Sequence, residues 1–288
     1  MFETAIACRS LLMTSALHSR RYLGAGECGA DIGTLDLEDA VPAEAKEEAR
    51  RLALPFLASA AVRFTRALRV NSLRTEDGWR DLLAVLESGA RPDILFFPKV
   101  EAAEELVIAD QVLAGRLPGT CFLATIETAA GLCAVEEIAA APTRRMWGLI
   151  LGAADYSASV GSSLAWEPLL FARSRIVNAA CRSGLRAIDS PCFDLSDPAR
   201  LRKEAELARQ MGFAGKAAIH PGQVAAINAA FTPSAESVAR AREVLAESEN
   251  HGGEICVVAG EMVGPPGVHA ARRLLARAAE LPGREEEA

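Results

Sequence analysis

The chain has 288 residues, of which 50% are hydrophobic and 24% charged, and its net charge of −7 disfavours nucleic acid or an anionic membrane as a partner. This length suits one large α/β domain or two smaller ones. No apolar run reaches the ~18 residues of a membrane span, and the N-terminus lacks a signal-peptide pattern. We therefore expect a cytoplasmic protein without a membrane segment.

Short apolar runs recur along the chain at intervals of about 30 residues, and each run ends on a polar or charged residue. Stretches of helical period lie between the runs, as in "DPARLRKEAELARQMG", where Ser196, Asp197 and Pro198 supply a cap and first turn. Eight such units predict a TIM (β/α)8 barrel, which typically needs about 250 residues. The predicted closing residues are Arg9, Asp36, Arg69, Lys99, Glu127, Asp155, Asp189 and His220.

The stretch "DIGTLDLEDA", residues 31–40, crowds carboxylates into the end of a predicted strand. Asp36 and Glu38 share one strand face, and Asp39 follows. The carboxyl ends of barrel strands form the rim of the active site, so these side chains are predicted to point into its mouth. The alternative is that they cap the next helix or pair with Lys46 and Arg50.

The stretch "GAGECG", residues 24–29, has the spacing of a dinucleotide-binding glycine motif. That motif carries meaning only when it follows a strand and opens a helix. Here it follows a predicted helix and precedes a strand, so we do not expect a dinucleotide site.

Glu127 and Asp155 close neighbouring predicted strands and are followed by small residues, in "ETAAG" and "DYSASVG". Two carboxylates with open space beside them suit Mg²⁺, which completes its octahedron with water and substrate. The alternative is a pair of helix N-caps. Arg69 and Arg9 add guanidinium groups whose planar fork matches a carboxylate. The combination predicts a site for a carboxylate-bearing carbonyl compound.

Several motifs resemble, in order and over nearly the whole chain, those of the citrate lyase β-subunit-like proteins. The motifs are "RSLL", "GADIGTLDLEDAV", "RVNSLRTEDGWRDL", "FFPKVEAAEEL", "ATIETAAGL", "LILGAADYSASVG" and "GFAGKAAIHPGQVAAIN". The wider group contains Mg²⁺-dependent aldolases, including malyl-CoA and citramalyl-CoA lyases. The resemblance implies a TIM barrel, a homotrimer or hexamer, and a small carboxylate or acyl-CoA substrate.

The resemblance also implies roles for individual residues. It assigns Mg²⁺ to Glu127 and Asp155, and substrate binding to Arg69, Asp155 and the neighbouring Ala154. It places Glu38 and Asp39 near the water shell of the metal, as catalytic residues together with Arg69.

The reaction of such lyases cleaves the C–C bond of a β-hydroxyacyl thioester, which requires loss of the hydroxyl proton and stabilisation of an enolate. Mg²⁺ as a Lewis acid and Arg69 as a counter-charge meet this need. Because no covalent nucleophile is required, we interpret Lys99 as an ion-pair residue rather than a Schiff-base lysine. We interpret His220, in "IHPGQ", as a structural residue.

Two stretches depart from the family pattern. Where relatives carry an "FVPG"-like turn and a later basic residue at the CoA end of the site, this chain has "MTSALHSRRY", in which Arg20 or Arg21 could contact phosphate. In relatives with a C-terminal lid, a "MIDxP"-like segment brings an aspartate over a neighbouring subunit's site. This chain has Gly264 at the matching position, and glycine cannot transfer a proton.

The domain boundaries follow from this comparison. We expect a catalytic barrel at residues 1–232, a helical lid extension at 233–282 and a disordered tail at 283–288, where "GREEEA" is too short and polar to pack.

Three hypotheses for function remain open. The leading one is a Mg²⁺-dependent lyase acting on a malyl-CoA or citramalyl-CoA type substrate, in cleavage or condensation. The second is a CoA-independent aldolase of pyruvate, glyoxylate or oxaloacetate, which would explain the altered first loop. The third is a non-catalytic ligand-binding relative, suggested by Gly264.

Overall fold

The computed structural model describes residues 6–58, 62–252 and 254–281. The chain divides into two compact units whose main segments are Cys8–Phe231 and Thr232–Ala288, the latter described to residue 281. The predicted tail at 283–288 lies outside the described residues. Within the described ranges, no helix combines the length and apolarity needed to cross a membrane.

The first unit is a closed barrel of eight parallel strands, each paired with its neighbour in chain order, which confirms the predicted TIM barrel. The last strand returns to the first through the pair Leu11 and Ala217. The strands are β1 (Ser10–Ser15), β2 (Ile32–Asp36), β3 (Thr65–Arg69), β4 (Ile94–Phe97), β5 (Cys121–Ile126), β6 (Met146–Leu151), β7 (Arg186–Asp189) and β8 (Gly215–Ala218).

Helices fill the connections between the strands. The α-helices are α1 (Gly24–Glu27), α2 (Lys46–Ala58), α3 (Glu76–Ser88), α4 (Ala103–Leu113), α5 (Ala129–Cys133), α6 (Val135–Ala139), α7 (Ala153–Val160), α8 (Leu170–Arg182), α9 (Pro198–Met211) and α10 (Val224–Phe231). Short 3₁₀ segments lie at Ala16–Leu23, Ala43–Ala45, Glu167–Leu169 and Pro221–Gln223.

The ends of α9 follow from local sequence chemistry. Asp197 accepts hydrogen bonds from the N–H groups of Ala199 and Arg200, and Pro198 occupies the first turn, where a missing N–H costs nothing. Gly212 ends the helix with φ +101°, a conformation that glycine adopts without a steric penalty. The predicted start of this helix is therefore confirmed, with Asp197 as the cap.

The "GAGECG" stretch has the context that the sequence predicted. Its first four residues form the short helix α1, which follows the 3₁₀ segment Ala16–Leu23 and precedes β2. A helix before a strand is the reverse of the order in a dinucleotide-binding turn.

Strand alternation separates an outer apolar layer from the barrel interior. On β2, Leu35 and the following Leu37 join the main hydrophobic core, which also contains helix residues such as Leu54, Leu82 and Ile176. Residues at the alternate positions, Thr34, Asp36 and Glu38, are equally buried but lie outside that core, and we assign them to the interior face. The polar interior face therefore emerges at the carboxyl-terminal end of the barrel.

The first strand begins later than the sequence predicted. The sequence predicts a first strand that closes on Arg9, but the observed strand is "SLLMTS", which begins at Ser10. Arg9 therefore precedes β1 and lies at its amino-terminal end. There Asp31, just before β2, accepts the Nε–H of Arg9 at 2.9 Å and an Nη2–H at 2.7 Å.

The second unit contains two helices and a hairpin: α11 (Ala235–Asn250), β9 (Cys256–Val258), β10 (Glu261–Val263) and α12 (Pro265–Ala279). The two strands pair antiparallel, with Met262 opposite Val257. A small core containing Val244, Val258 and Ala271 holds the helices and hairpin together. The role of this second unit as a lid stays a prediction.

Candidate active site

The ends of β2 and β3 bring a carboxylate and a guanidinium together. The parallel register places Asp36 directly beside Arg69. Asp36 Oδ1 accepts the Nε–H of Arg69 at 2.7 Å, and Oδ2 accepts an Nη2–H at 2.6 Å. This bidentate pair occupies one edge of the guanidinium, while Arg69 Nη1 lies 3.2 Å from Glu38 Oε2.

Glu38 lies two residues beyond Asp36, on the same face, and is 5% exposed. Its Oε1 contacts the ammonium group of Lys99. Its Oε2 is buried and, within the described part of the chain, accepts no hydrogen bond of acceptable geometry. Burial raises the pKa of Glu38, although the charges of Arg69 and Lys99 act in the opposite direction.

Lys99 contacts four carboxylates that come from three different connections. Its backbone adopts φ +52°, a left-handed conformation that is uncommon outside glycine and tends to occur at functional sites. In this conformation its N–H donates to Glu127 Oε1 at 2.7 Å, while its Nζ contacts Glu38. The same Nζ lies 3.4 Å from Asp39 Oδ1 and 3.9 Å from Asp155 Oδ2. The predicted ion-pair role of Lys99 is confirmed.

Glu127 follows β5 directly and is 2% exposed. Burial, together with the nearby charge of Glu38, raises the pKa of Glu127 to about 8. A side chain at position 152 would overlap Glu127 Oε2 and Cβ, so only glycine leaves room for this carboxylate. Glu127 is not a helix cap, because the cap of α5 is Thr128.

Asp155 occupies the first turn of α7, four residues after β6 ends, rather than the strand end that the sequence predicted. Its side chain is 41% exposed. The cap position of α7 is Gly152, and the exposed Ala154 precedes Asp155 in the same turn.

Arg69 and Lys99 thus connect one group of charged side chains at the carboxyl-terminal end of the barrel, here named the rim cluster. It comprises Asp36, Glu38, Asp39, Arg69, Lys99, Glu127 and Asp155.

Two predicted rim residues belong elsewhere. Arg9 lies at the opposite, amino-terminal end of β1, so its predicted place beside Arg69 in a substrate site is wrong. Asp189 ends β7 but lies on its outer face, where it accepts hydrogen bonds from Arg173 Nε at 2.9 Å and Lys216 Nζ at 2.7 Å. The error at Arg9 concerns the end of the strand, and the error at Asp189 concerns its face. The position of a charged residue after an apolar run determines neither.

His220 follows β8 and is exposed. Its Nδ1 accepts the N–H of Gly222 at 3.0 Å and caps the 3₁₀ segment Pro221–Gln223. This contact agrees with the structural interpretation of His220.

The donor set of the rim cluster fits Mg²⁺. Glu127 Oε1 accepts the Lys99 N–H, and no described residue donates to Oε2, so this carboxylate keeps an oxygen of the kind that suits a hard cation. Among the described residues, no three carboxylate, histidine or cysteine side chains are arranged to hold a metal by themselves. Mg²⁺ commonly binds through only one or two carboxylates and retains several waters, so two protein donors suffice.

Sequence reasoning missed three features of this site. The Asp36–Arg69 pair depends on strand register. The hydrogen bond from the Lys99 N–H to Glu127 depends on the left-handed backbone of Lys99. Gly152 carried a detectable signal, because a glycine at the end of a strand pattern often marks a close approach of another group.

Comparisons with known proteins agree with this geometry. Residues 15–221 match the family model for HpcH/HpaI aldolase/citrate lyase. Citrate lyase subunit beta of Escherichia coli K12 is 34% identical over 292 residues, covering 97% of this chain and 95% of the relative. L-malyl-CoA/beta-methylmalyl-CoA lyase of Cereibacter sphaeroides ATCC 17025 is 36% identical over 249 residues, covering 76% of this chain and 77% of the relative.

A solved structure of CitE from Mycobacterium tuberculosis, in complex with magnesium, acetoacetate and coenzyme A, is similar with a TM-score of 0.79 and 31% identity. The match covers 95% of this chain and 98% of CitE. The curated relatives are named as lyases, which disfavours the non-catalytic alternative. The chain therefore belongs to the HpcH/HpaI aldolase/citrate lyase family and is an enzyme of the lyase class.

Proposed function

We propose that this enzyme cleaves or forms the C–C bond of a short β-hydroxyacyl-CoA of malyl-CoA or citramalyl-CoA type, with Mg²⁺ as cofactor. The observation that carries the proposal is the rim cluster itself, in which a buried carboxylate, an exposed carboxylate and a guanidinium converge at the catalytic end of a TIM barrel. Malyl-CoA and citrate lyases among the relatives support the same class of reaction.

Glu127 and Asp155 would hold the metal. Both offer carboxylate oxygens, and Gly152 leaves the space that Glu127 occupies. When bound, Mg²⁺ supplies a Lewis acid for the oxygens of a 2-oxo acid fragment. It also balances the charge of the carboxylates that raise the pKa of Glu127.

Arg69 provides positive charge for the substrate carboxylate or for the carbonyl oxygen that becomes negative during cleavage. Its Nε and Nη2 edge already faces Asp36, so a substrate would approach a different edge of the guanidinium. The exposed neighbour Ala154 leaves space for substrate beside Asp155.

Glu38 and Asp39 are the proposed groups for proton movement. Glu38 is buried beside Arg69 and Lys99, whereas the side chain of Asp39 is 55% exposed. The substrate hydroxyl must lose a proton during cleavage, and a carboxylate next to the reacting carbon can accept it directly or through water.

A basic groove supports CoA as part of the substrate. It has a volume of about 540 Å³ and its lining includes His18, Arg20, Arg21 and Arg51, contributed by the segment after β1 and by α2. These side chains suit the phosphates of a CoA thioester. The CoA-independent aldolase remains the second candidate, because the same segment forms a 3₁₀ turn in place of the family's loop sequence.

Assembly as a homotrimer or hexamer belongs to the same proposal, by analogy with the family.

The experiment combines purified enzyme and Mg²⁺ with acetyl-CoA or propionyl-CoA and, separately, glyoxylate, pyruvate or oxaloacetate. Mass spectrometry of the products then identifies the reaction. A malyl-type or citramalyl-type CoA adduct that disappears in EDTA supports the proposal. Condensation without CoA supports the second candidate, and identical product formation in EDTA contradicts the metal-dependent mechanism.

A further inference from the structure

Asp36 is a buried carboxylate of the rim cluster whose two oxygens both accept hydrogen bonds from neighbouring residues. Its side chain is 3% exposed. Oδ1 accepts both the Nε–H of Arg69 at 2.7 Å and the backbone N–H of Glu38 at 2.9 Å, while Oδ2 accepts the Nη2–H of Arg69 at 2.6 Å. Both oxygens are therefore committed to neighbouring residues of the site.

We infer that Asp36 is a positioning residue that fixes the Arg69 guanidinium and the Glu38 backbone for recognition of the substrate carboxylate. This inference rests on the proposed function of Arg69 as the counter-charge for that group. Asp36 itself does not reach the substrate, because its oxygens face Arg69 and Glu38 and are shielded from solvent.

The single carboxylate links two site residues that come from different strands. Arg69 ends β3, whereas Glu38 lies beyond the end of β2. An arginine side chain has four rotatable bonds, and a bidentate contact limits the positions available to its head. Loss of the contact would leave the charge of Arg69 in place but remove its fixed orientation, which costs binding and transition-state stabilisation.

The barrel contains a matched pair that serves as an internal control. Arg9 and Asp31 make the same bidentate contact at the amino-terminal end of β1 and β2, with distances of 2.9 and 2.7 Å. In both pairs the arginine side chain is 16% exposed and the aspartate side chain 3%. Asp31→Asn therefore reproduces the loss of a buried ion pair without touching the rim cluster.

The kinetic test compares wild type, Asp36→Asn, Asp31→Asn, Arg69→Lys and the double variant Asp36→Asn/Arg69→Lys in the condensation reaction. We expect Asp36→Asn to lower kcat/KM for the 2-oxo acid about 10- to 100-fold, mainly through KM, as is typical when an orienting partner is lost. Asp31→Asn should stay within about twofold of wild type. In the Arg69→Lys background, Asp36→Asn should add little, because the two residues act as a unit.

An additive loss in the double variant, or equal kinetics for Asp36→Asn and Asp31→Asn, would overturn the inference. If Asp36→Asn does not fold, Asp36→Glu keeps the charge but displaces it by one methylene, and the same rise in KM is expected.

A ligand-free readout separates this inference from the proposed function. Nitrogen-15 NMR of the Arg69 Nε–H, assigned by its absence in Arg69→Lys, reports whether the guanidinium is held. Slow exchange with solvent is expected in wild type and Asp31→Asn, and fast exchange in Asp36→Asn. Failure of wild type to turn over any substrate would count against the proposed function, whereas unchanged exchange in Asp36→Asn would count against the inference.

Discussion

The two ends of strand β2 carry the same ion pair in different surroundings. Asp31 holds Arg9 at the amino-terminal end, and Asp36 holds Arg69 at the carboxyl-terminal end, each through Nε and Nη2. Donor–acceptor distances and the solvent exposure of the side chains are nearly the same in the two pairs. The geometry of an isolated ion pair therefore does not distinguish a structural contact from a functional one.

The neighbours of each pair make the difference. Asp31 also accepts the backbone N–H of Arg9 at 2.8 Å, which ties together the starts of β1 and β2. Beside the Asp36 pair lie Glu38 and, through Lys99, further carboxylates of the rim cluster. Such crowding of like charges opposes folding and is typical of a site that binds a cation or a substrate.

If catalysis belongs to the carboxyl-terminal end alone, Glu127→Gln should cause the largest loss of activity. The amide keeps the shape of the side chain but removes an anionic oxygen from the proposed Mg²⁺ site, and we expect roughly a 10³-fold fall in kcat/KM. Steady-state kinetics at saturating Mg²⁺ measures this, with circular dichroism as the check on folding. Asp31→Asn is the control, and wild-type kinetics in Glu127→Gln would contradict the account.

Gly152→Ala perturbs the proposed metal site while leaving every charge in place. The added methyl group would overlap Glu127, so the carboxylate must move away from the position that suits the metal. We expect Mg²⁺ affinity to fall by about tenfold or more, measured by calorimetric titration. Gly119→Ala is the matched control because a methyl group there meets nothing within 4 Å. Equal Mg²⁺ affinities in the two variants would show that Glu127 needs no such room.

Lys99 tests how much of the rim cluster depends on backbone geometry. Lys99→Gly and Lys99→Ala both remove the ammonium group, but only alanine keeps the steric penalty of φ +52°. The glycine variant should be more stable by about 1 kcal/mol in urea unfolding, because glycine adopts this conformation without strain. Equal stability, or a more stable alanine variant, would mean that the left-handed backbone at Lys99 carries no strain.

The smallest expected effect concerns Gly264, which belongs to the second unit. Gly264 is the N-cap of α12 with φ −118°, and a Cβ there meets Ile255 no closer than 3.6 Å. Gly264→Asp should therefore fold normally and stabilise the helix by a few tenths of a kcal/mol, as seen in thermal unfolding. Gly264→Ala is the control, since alanine is a poor cap.

Gly264→Asp also tests the lid role implied by the family resemblance. If the second unit reaches an active site, the new aspartate should raise thioester hydrolysis, to which a general acid-base group contributes about 10²- to 10⁴-fold. Efficient hydrolysis by the unmodified enzyme would show that another residue already transfers this proton.

The sequence predicted the barrel and most of the rim cluster for one physical reason. Asp36, Arg69 and Glu127 end, or directly follow, apolar strands whose side-chain parity carries them inward. Asp189 also ends a strand, but its side chain lies on the outer face. Arg9 lies just before β1, which begins at Ser10, and therefore at the amino-terminal end of the barrel. Apolar periodicity locates a strand only to within a few residues, and a strand that is apolar on both faces does not show which face points into the barrel.

Contacts within the cluster could not be predicted in the same way. The Asp36–Arg69 pair depends on the register between β2 and β3, and the position of Glu127 depends on Lys99 and Gly152 in other connections. These are non-local relations, which a pattern along the chain does not encode.

Calorimetric titration of Mg²⁺ into the purified enzyme, in the presence of a 2-oxo acid, measures whether Glu127 and Asp155 hold the metal. We expect one binding site per chain in wild type and in Asp31→Asn, and no detectable site in the Glu127→Gln/Asp155→Asn double variant. Wild-type Mg²⁺ binding by the double variant would contradict the assignment of the metal to the rim cluster.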